Sequence, residues 1–382
     1  MDGAKTLFLA EVYLLYLFPM SEAYLTDPVN PDWEALLKCI GREGTPYRVH
    51  NIELFLDDEI KEAVCDRFSL LDGLKKGEAF YDLKREIRIQ RFLGYDYVRC
   101  SLDDFEMPLN RISVQDTAEI TRAGGREFIN EKQGPVASWE NFERYPWPDP
   151  ARCKSSKLEW YEENLPDDMC VIGSGGFAHF AEFLNWLMGY ETLCYALFEK
   201  RDLVQAISKR LIDIYVVMLQ RILQFSRVKI IWGSDDMGFR GGPLISPDDL
   251  REFVLPGHRL MADMSHKAGR PYLLHSCGNL ELIIEDLIED VGIDARHSFE
   301  DTIEDVVTAN RRFGNRIAHL GGIDVDFLCR SSEQQIRKRV SDTLSVCMPG
   351  GGYCLGTGNS VTNYIPLDNY LVMLDEGRKF SP

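Results

Sequence analysis

The feature that most constrains this chain is a recurring alternation. Eight short runs rich in β-branched and apolar residues are each followed by a Gly, Asp or Ser turn and then by a helical stretch. The runs are residues 47–54 (YRVHNIEL), 96–102 (DYVRCSL), 170–176 (CVIGSGG), 228–235 (VKIIWGSD), 271–277 (PYLLHSC), 293–299 (IDARHSF), 316–322 (RIAHLGG) and 351–358 (GGYCLGTG). Apolar residues recur at helical spacing over 180–225, 247–267, 280–290, 302–313, 332–346 and 367–379. Ser246-Pro247-Asp248-Asp249 reads as an N-cap, a proline at the first helical position and acids in the first turn. Gly269 and Gly314 sit where a helix should stop. Strands alternating with helices imply a parallel sheet covered on both faces, and eight such units predict an α/β fold of the (β/α)8 TIM barrel type. The expected organisation is an N-terminal helical extension over 1–45 and a single barrel catalytic domain over 46–382. An excursion follows the second strand, roughly 103–168, where the Pro-rich aromatic stretch WENFERYPWPDP would cross the barrel mouth. A doubly wound open sheet is the alternative, but no dinucleotide fingerprint opens the chain.

Charge and cysteine usage exclude other classes. The 382 residues carry 43 Lys and Arg against 61 Asp and Glu, a net charge of −18. Nucleic-acid binding depends on clustered basic residues, so no nucleic-acid partner is expected. The stretch 7–20 (LFLAEVYLLYLFPM) is too short to span a bilayer, carries Glu11 and is followed by no small-residue cleavage pattern. No membrane association is expected. The ten cysteines are scattered through apolar segments, which reads as reduced thiols in a cytoplasmic protein.

In such a barrel the chemistry lies at the carboxyl ends of the strands. The fifth run ends His275-Ser276-Cys277-Gly278, and the eighth contains Cys354. His275 and Cys277 stand two apart and point to one side of an extended strand end. One imidazole and two thiolates converging there would make a three-ligand site with an open fourth position, the stoichiometry of catalytic zinc. Taken singly, His275 also reads as a hydrogen-bonded strand-end histidine and either cysteine as a buried thiol.

Asp235-Asp236-Met237-Gly238, Leu244-Ile245-Ser246-Pro247, His275-Ser276-Cys277-Gly278-Asn279, Gly321-Gly322-Ile323-Asp324 and Gly358-Asn359-Ser360 together resemble the uroporphyrinogen decarboxylase superfamily. Within it they look like the zinc methyltransferase branch, which includes methylcobamide:coenzyme M methyltransferases and corrinoid-dependent O-demethylases. That branch carries His-x-Cys followed far downstream by a third ligand cysteine. The resemblance therefore implies that His275, Cys277 and Cys354 hold Zn2+, and that a methyl group moves between a small substrate at zinc and the cobalt of a corrinoid. The substrate would be a methoxylated donor or a thiol acceptor. The chain contains no D-x-H-x-x-G corrinoid motif, so the resemblance implies a separate corrinoid-binding partner protein. Decarboxylases of the superfamily carry an arginine-bearing motif near the N-terminus. The first strand here reads HNIELFLDDE and departs from that pattern.

Other strand-end residues could assist. Asp235 and Asp236 could split their pKa values and act as acid and base, or Asp235 could cap the next turn and leave only Asp236 facing in. Glu300 could be an outer acceptor for His275, a temporary fourth ligand, or a solvated helix-start acid. Glu53, Ser174, His179, Asn359 and Tyr364 are the candidates for binding substrate. His50, His297 and His319 lie inside strand runs and read as core histidines. Two other readings stay open: a metal-free decarboxylase with an arginine-lined pocket, and a non-catalytic barrel that binds a corrinoid protein.

Overall fold

A computed structural model describes residues 24–114, 126–130 and 132–381. Seven of the eight runs form one curled parallel sheet in chain order. They are β1 (Tyr97–Cys100), β2 (Cys170–Gly173), β3 (Val228–Ser234), β4 (Tyr272–His275), β5 (Ala295–His297), β6 (Ala318–Leu320) and β7 (Tyr353–Cys354). The first run forms no ladder. Isolated parallel bridges, Asn51 with Leu355 and Leu56 with Val361, attach it to the segment that continues β7. Toward β1 it is held by a side chain instead, since Glu53 N donates to the Tyr97 hydroxyl at 2.8 Å.

Alternating residues along the strands divide between two apolar clusters, as a pleated sheet requires. Cys170, Ile172, Ile230, Trp232, Leu273, Ala318, Leu320 and Cys354 belong to one. Val171, Val228, Ile231, Tyr272 and Leu274 face the other way, against the helices Phe180–Met188 and Arg201–Ile222. The helical stretch 180–225 is broken into Phe180–Met188, Tyr190–Glu199 and Arg201–Ile222. The first break is at Gly189, whose φ is +81° and where a Cβ would stand 2.8 Å from the Lys132 carbonyl oxygen. The stretch 247–267 divides at Val254, two residues before Pro256. Ser246 caps the first part as its sequence suggests, accepting from Asp249 N. Residues 280–290 give only a π-helix over Asp286–Val291. Between β1 and β2 lie an antiparallel ribbon (Arg111–Val114 with Arg126–Ile129) and the helices Trp139–Arg144 and Ser156–Asn164.

Of the expected N-terminal extension, the helix Trp33–Ile40 is present, while residues 1–23, including the apolar stretch 7–20, lie outside the described residues. Among the described residues no helix is long and apolar enough to cross a membrane. All ten cysteines are free thiols.

The residue just before β1, Asp96, ties this extension to the sheet. Its buried carboxylate accepts from the backbone N–H of Asp32 at 2.7 Å, from His50 Nδ1 at 2.7 Å and from the Arg48 guanidinium. Removing one partner of a buried ionic cluster strands the others. Asp96→Ala should therefore lower the unfolding free energy by about 3–5 kcal/mol, read as a fall in the urea midpoint.

Candidate metal centre and its flanking cavities

The parallel register of β3 and β4 builds the centre. Ser234 pairs with His275, Asp235 N donates to His275 O at 2.9 Å, and the next residue of each segment continues past the sheet edge. Asp236 Oδ1 then accepts from Cys277 N at 2.8 Å and stands 3.3 Å from His275 Nε2. Cys277 Sγ lies 3.4 Å from the same Nε2. One carboxylate oxygen, one imidazole nitrogen and one sulfur thus fall within 4.8 Å of one another. Burial tends to raise the Asp236 carboxyl, but the His275 imidazole and the Cys277 amide outweigh it and hold it at about 2. The Cys277 thiol is pushed up, by burial first and then by the Asp236 carboxylate. A bound divalent cation reverses that balance, because it stabilises thiolate directly.

His275 is oriented from behind. Its Nδ1 lies 2.7 Å from Nδ1 of His297 in β5. Burial, then the neighbouring His275, depress the His297 pKa far below the usual imidazole range, so this ring stays neutral. With His275 Nδ1–H donating and His297 Nδ1 accepting, His275 Nε2 keeps its lone pair toward the cluster. The Cys277 sulfur also accepts from Asn359 Nδ2 at 3.2 Å and from the Ser298 hydroxyl at 3.8 Å.

Several sequence expectations are corrected here. Cys354 does not join the cluster. It is fully buried, and its thiol lies beside that of Cys39 in the helix Trp33–Ile40, which donates to the Tyr353 carbonyl at 3.2 Å. The reason is depth. Cys354 pairs with Leu320, and backbone hydrogen bonding runs on beyond β7 through Gly356 and Gly358, so Asn359 stands nearer the carboxyl end. Asp235 is also not an acid or base at the centre. Its buried carboxylate caps the helix Phe180–Met188, accepting from Ala181 N (2.8 Å) and Glu182 N (2.9 Å), and pairs with His258 Nε2 at 2.9 Å. His258 is thereby part of a buried polar network. Glu300 is exposed and is not the acceptor behind His275, a role taken by His297. Asn359, expected among the substrate-binding residues, stands instead against the Cys277 sulfur, and nothing in the local sequence marks His297 as the partner of His275.

Comparison with known proteins decides the family. The model of "Uroporphyrinogen decarboxylase (URO-D)" matches residues 135–380. The chain belongs to the URO-D family. A methylated-thiol–coenzyme M methyltransferase of Methanosarcina mazei is 34% identical over 127 residues, 33% of this chain and 32% of that protein. The match thus spans about a third of the relative's length. A solved structure described as a methyltransferase from Methanosarcina mazei superposes with a TM-score of 0.63 at 16% identity, covering 94% of this chain and 99% of that one, a likeness of fold. Both are named as methyltransferases, the branch that the motifs resemble.

Two cavities adjoin residues that are bonded to the centre in this URO-D chain. The larger, about 850 Å3, takes in Glu53, Arg85, Arg99, Ser174, His179 and Ser234. Ser234 is the residue paired with His275. The second, about 630 Å3, is lined by Glu300, Asn359 and Tyr364 among others. The expected substrate-binding residues are therefore split: Glu53, Ser174 and His179 on one side, Asn359 and Tyr364 on the other. Sequence reading missed Arg99, which lies mid-strand in β1. Its Nε donates to Ser174 Oγ at 2.8 Å and its guanidinium stacks 5.2 Å from the Trp232 ring centroid. Burial lowers its pKa to about 10, so it remains a cation at neutral pH.

Glu53 is buried, and burial raises its carboxyl to about 8 even though Thr357 N (2.7 Å) and Thr357 Oγ1 (2.6 Å) donate to it. The unfolded carboxyl ionises near ~4.3. Between these values the native state binds more protons, so stability falls as pH rises through the window. Glu53→Gln should remove this slope. Its stability relative to wild type should rise between about pH 4.5 and 8 by at most ~1.4 kcal/mol per pH unit, measured by denaturant unfolding across pH.

Proposed function

We propose that this chain is a zinc-dependent methyltransferase that moves a methyl group between a small substrate and the cobalt of a corrinoid held by a separate protein. The observation that carries the reading is the convergence of Asp236, His275 and Cys277 at the carboxyl ends of β3 and β4. Their donor set of carboxylate oxygen, imidazole nitrogen and sulfur suits Zn2+ with an open coordination position. In this reading Asp236 supplies the second anionic ligand in place of Cys354. One carboxylate and one thiolate balance the cation's charge as two thiolates would. When bound, zinc would polarise a substrate oxygen as a Lewis acid, or hold a substrate thiol as thiolate at neutral pH.

The chain's own groups set the conditions for this. Were His297 Nδ1 to accept the proton of His275 Nδ1, Nε2 would keep its lone pair for the cation. Asn359 and Ser298 donate to the Cys277 sulfur, which spreads its negative charge and restrains its basicity. The Cys277 amide fixes the Asp236 carboxylate. Phe55, Phe239 and Tyr364 are 47%, 54% and 49% exposed, and the Phe239 carbonyl accepts from Asn279 N, two residues beyond Cys277. These rings give a corrinoid-bearing partner an apolar surface near the centre. Ten free thiols suit a reducing, cytoplasmic compartment.

Metal analysis of purified protein tests the reading. Asp236→Ala, His275→Ala and Cys277→Ala should each lose zinc and abolish methyl transfer to a reduced corrinoid protein, while Cys354→Ala should keep both. His297→Ala should weaken zinc affinity by about 10–100-fold. Folded ligand variants that retain metal and full transfer would overturn the proposal. The metal-free decarboxylase reading is favoured by one observation, the arginines Arg85 and Arg99 in the larger cavity. It requires activity that survives chelation.

A further inference from the structure

We infer that Cys39 and Cys354 form an oxidative modification site: hydrogen peroxide converts the two thiols into a disulfide that locks the helix Trp33–Ile40 across the amino ends of the strands. The inference stands apart from the methyl-transfer reading. The helix meets the sheet at both of its ends. At the first, Asp32 N donates to the Asp96 carboxylate at 2.7 Å, and Trp33 N and Nε1 donate to the Asp168 and Asp167 carbonyls at 3.3 and 3.0 Å. The Lys229 ammonium lies 4.7 Å from the Trp33 ring centroid. Asp96, Asp168 and Lys229 stand at the starts of β1, β2 and β3. At the other end, Cys39 O accepts from Gly352 N at 2.7 Å and Cys39 Sγ donates to the Tyr353 carbonyl at 3.2 Å. Gly351, at φ +82°, lets the chain pass so close that a Cβ there would stand 2.7 Å from the Gly44 carbonyl oxygen. One residue beyond Tyr353, the Cys354 thiol lies beside that of Cys39.

Neither thiol belongs to the metal centre, and both are buried, 1% and 0% exposed. They differ in acidity. The neighbouring Cys354 thiol, outweighing burial, holds Cys39 below the usual thiol range, whereas Cys39 and burial push Cys354 up. Cys39 is therefore the nucleophile, because the thiolate attacks peroxide. Its sulfur takes one oxygen, the O–O bond breaks, and the released hydroxide leaves as water with the Cys39 proton. Cys354 then attacks the resulting sulfenic acid; the S–S bond forms, the S–O bond breaks, and hydroxide leaves as water with the Cys354 proton. Two thiols lose two electrons, and one peroxide becomes two waters. Access comes from the helix itself. Its eight residues make about two turns, too few to be helical alone, so contact with the sheet holds it and local opening releases it. Lifting the helix exposes Cys39 to a small oxidant, and reseating it delivers the oxidised sulfur to Cys354. The bond then joins the N-terminal extension to the last strand and constrains the unfolded chain over nearly the whole barrel.

Peroxide treatment of the reduced full chain, followed by alkylation in denaturant and peptide mass mapping, tests this. The Cys39 and Cys354 peptides should appear joined and two hydrogens lighter than their sum, with two of the ten free thiols lost. The oxidised protein should melt about 5 °C higher, and dithiothreitol should reverse the shift. Cys39→Ser and Cys354→Ser should each abolish the shift, while Cys194→Ser should keep it. The mapping is read on the wild-type chain, so it decides the matter even where a variant does not fold. Thiols that do not react, thiol loss without a Cys39–Cys354 link, a link formed only between two chains, or an intramolecular link that leaves the melting temperature unchanged would overturn the inference.

Discussion

The hydrogen-bond register between β3 and β4 is the constraint on which the centre depends. Pairing Ser234 with His275 brings Asp236 and Cys277 level with each other just beyond the sheet, where the Cys277 N–H can donate to the Asp236 carboxylate. Side chains alternate faces along a strand, so a slip of one residue would turn His275 away from the interior and break the cluster. Backbone pairing thus does what the side chains could not do alone: it holds a carboxylate, an imidazole and a thiol together against their desolvation cost.

The adjacent aspartates show how finely this is divided. Asp236 faces the centre, while Asp235, one residue earlier, points away to cap a helix and pair with His258. The caps and the buried pair keep the Asp235 side of the segment rigid, and that rigidity is passed directly to Asp236 and Met237, whose amide donates to Ser276. On the far side of His275, Nδ1 of the neutral His297 ring stands 2.7 Å from its Nδ1 and, as an acceptor there, would leave Nε2 free for a cation. A centre so supported has little freedom to rearrange, which is the condition for binding a cation at a defined geometry.

The two cavities give the centre opposite surroundings. On one side, Arg99 and Arg85 make a pocket with unneutralised positive charge in a strongly acidic protein. On the other, Asn359 reaches Cys277 from a cavity lined by Glu300, Asp301, Asp324 and Asp326.

Much of this was legible in the sequence because it is local. Strand runs, the Ser246 cap and the C-terminal helix follow from apolar periodicity and turn chemistry, and His-x-Cys at a strand end marks the centre without any contact being known. The first run illustrates the limit: its composition reads as a strand, yet its polar residues Arg48, His50 and Glu53 are spent on Asp96 and Thr357, and it pairs only through isolated bridges. Cys354 illustrates the other: it looks like a ligand by type and order, but a strand's depth in the sheet is set by its neighbours' register, and that places Cys354 against Cys39 and Asn359 beside Cys277. Residue chemistry and period are written along the chain. Which side chains meet across strands that are distant in sequence is decided only when the sheet closes up its hydrogen bonds.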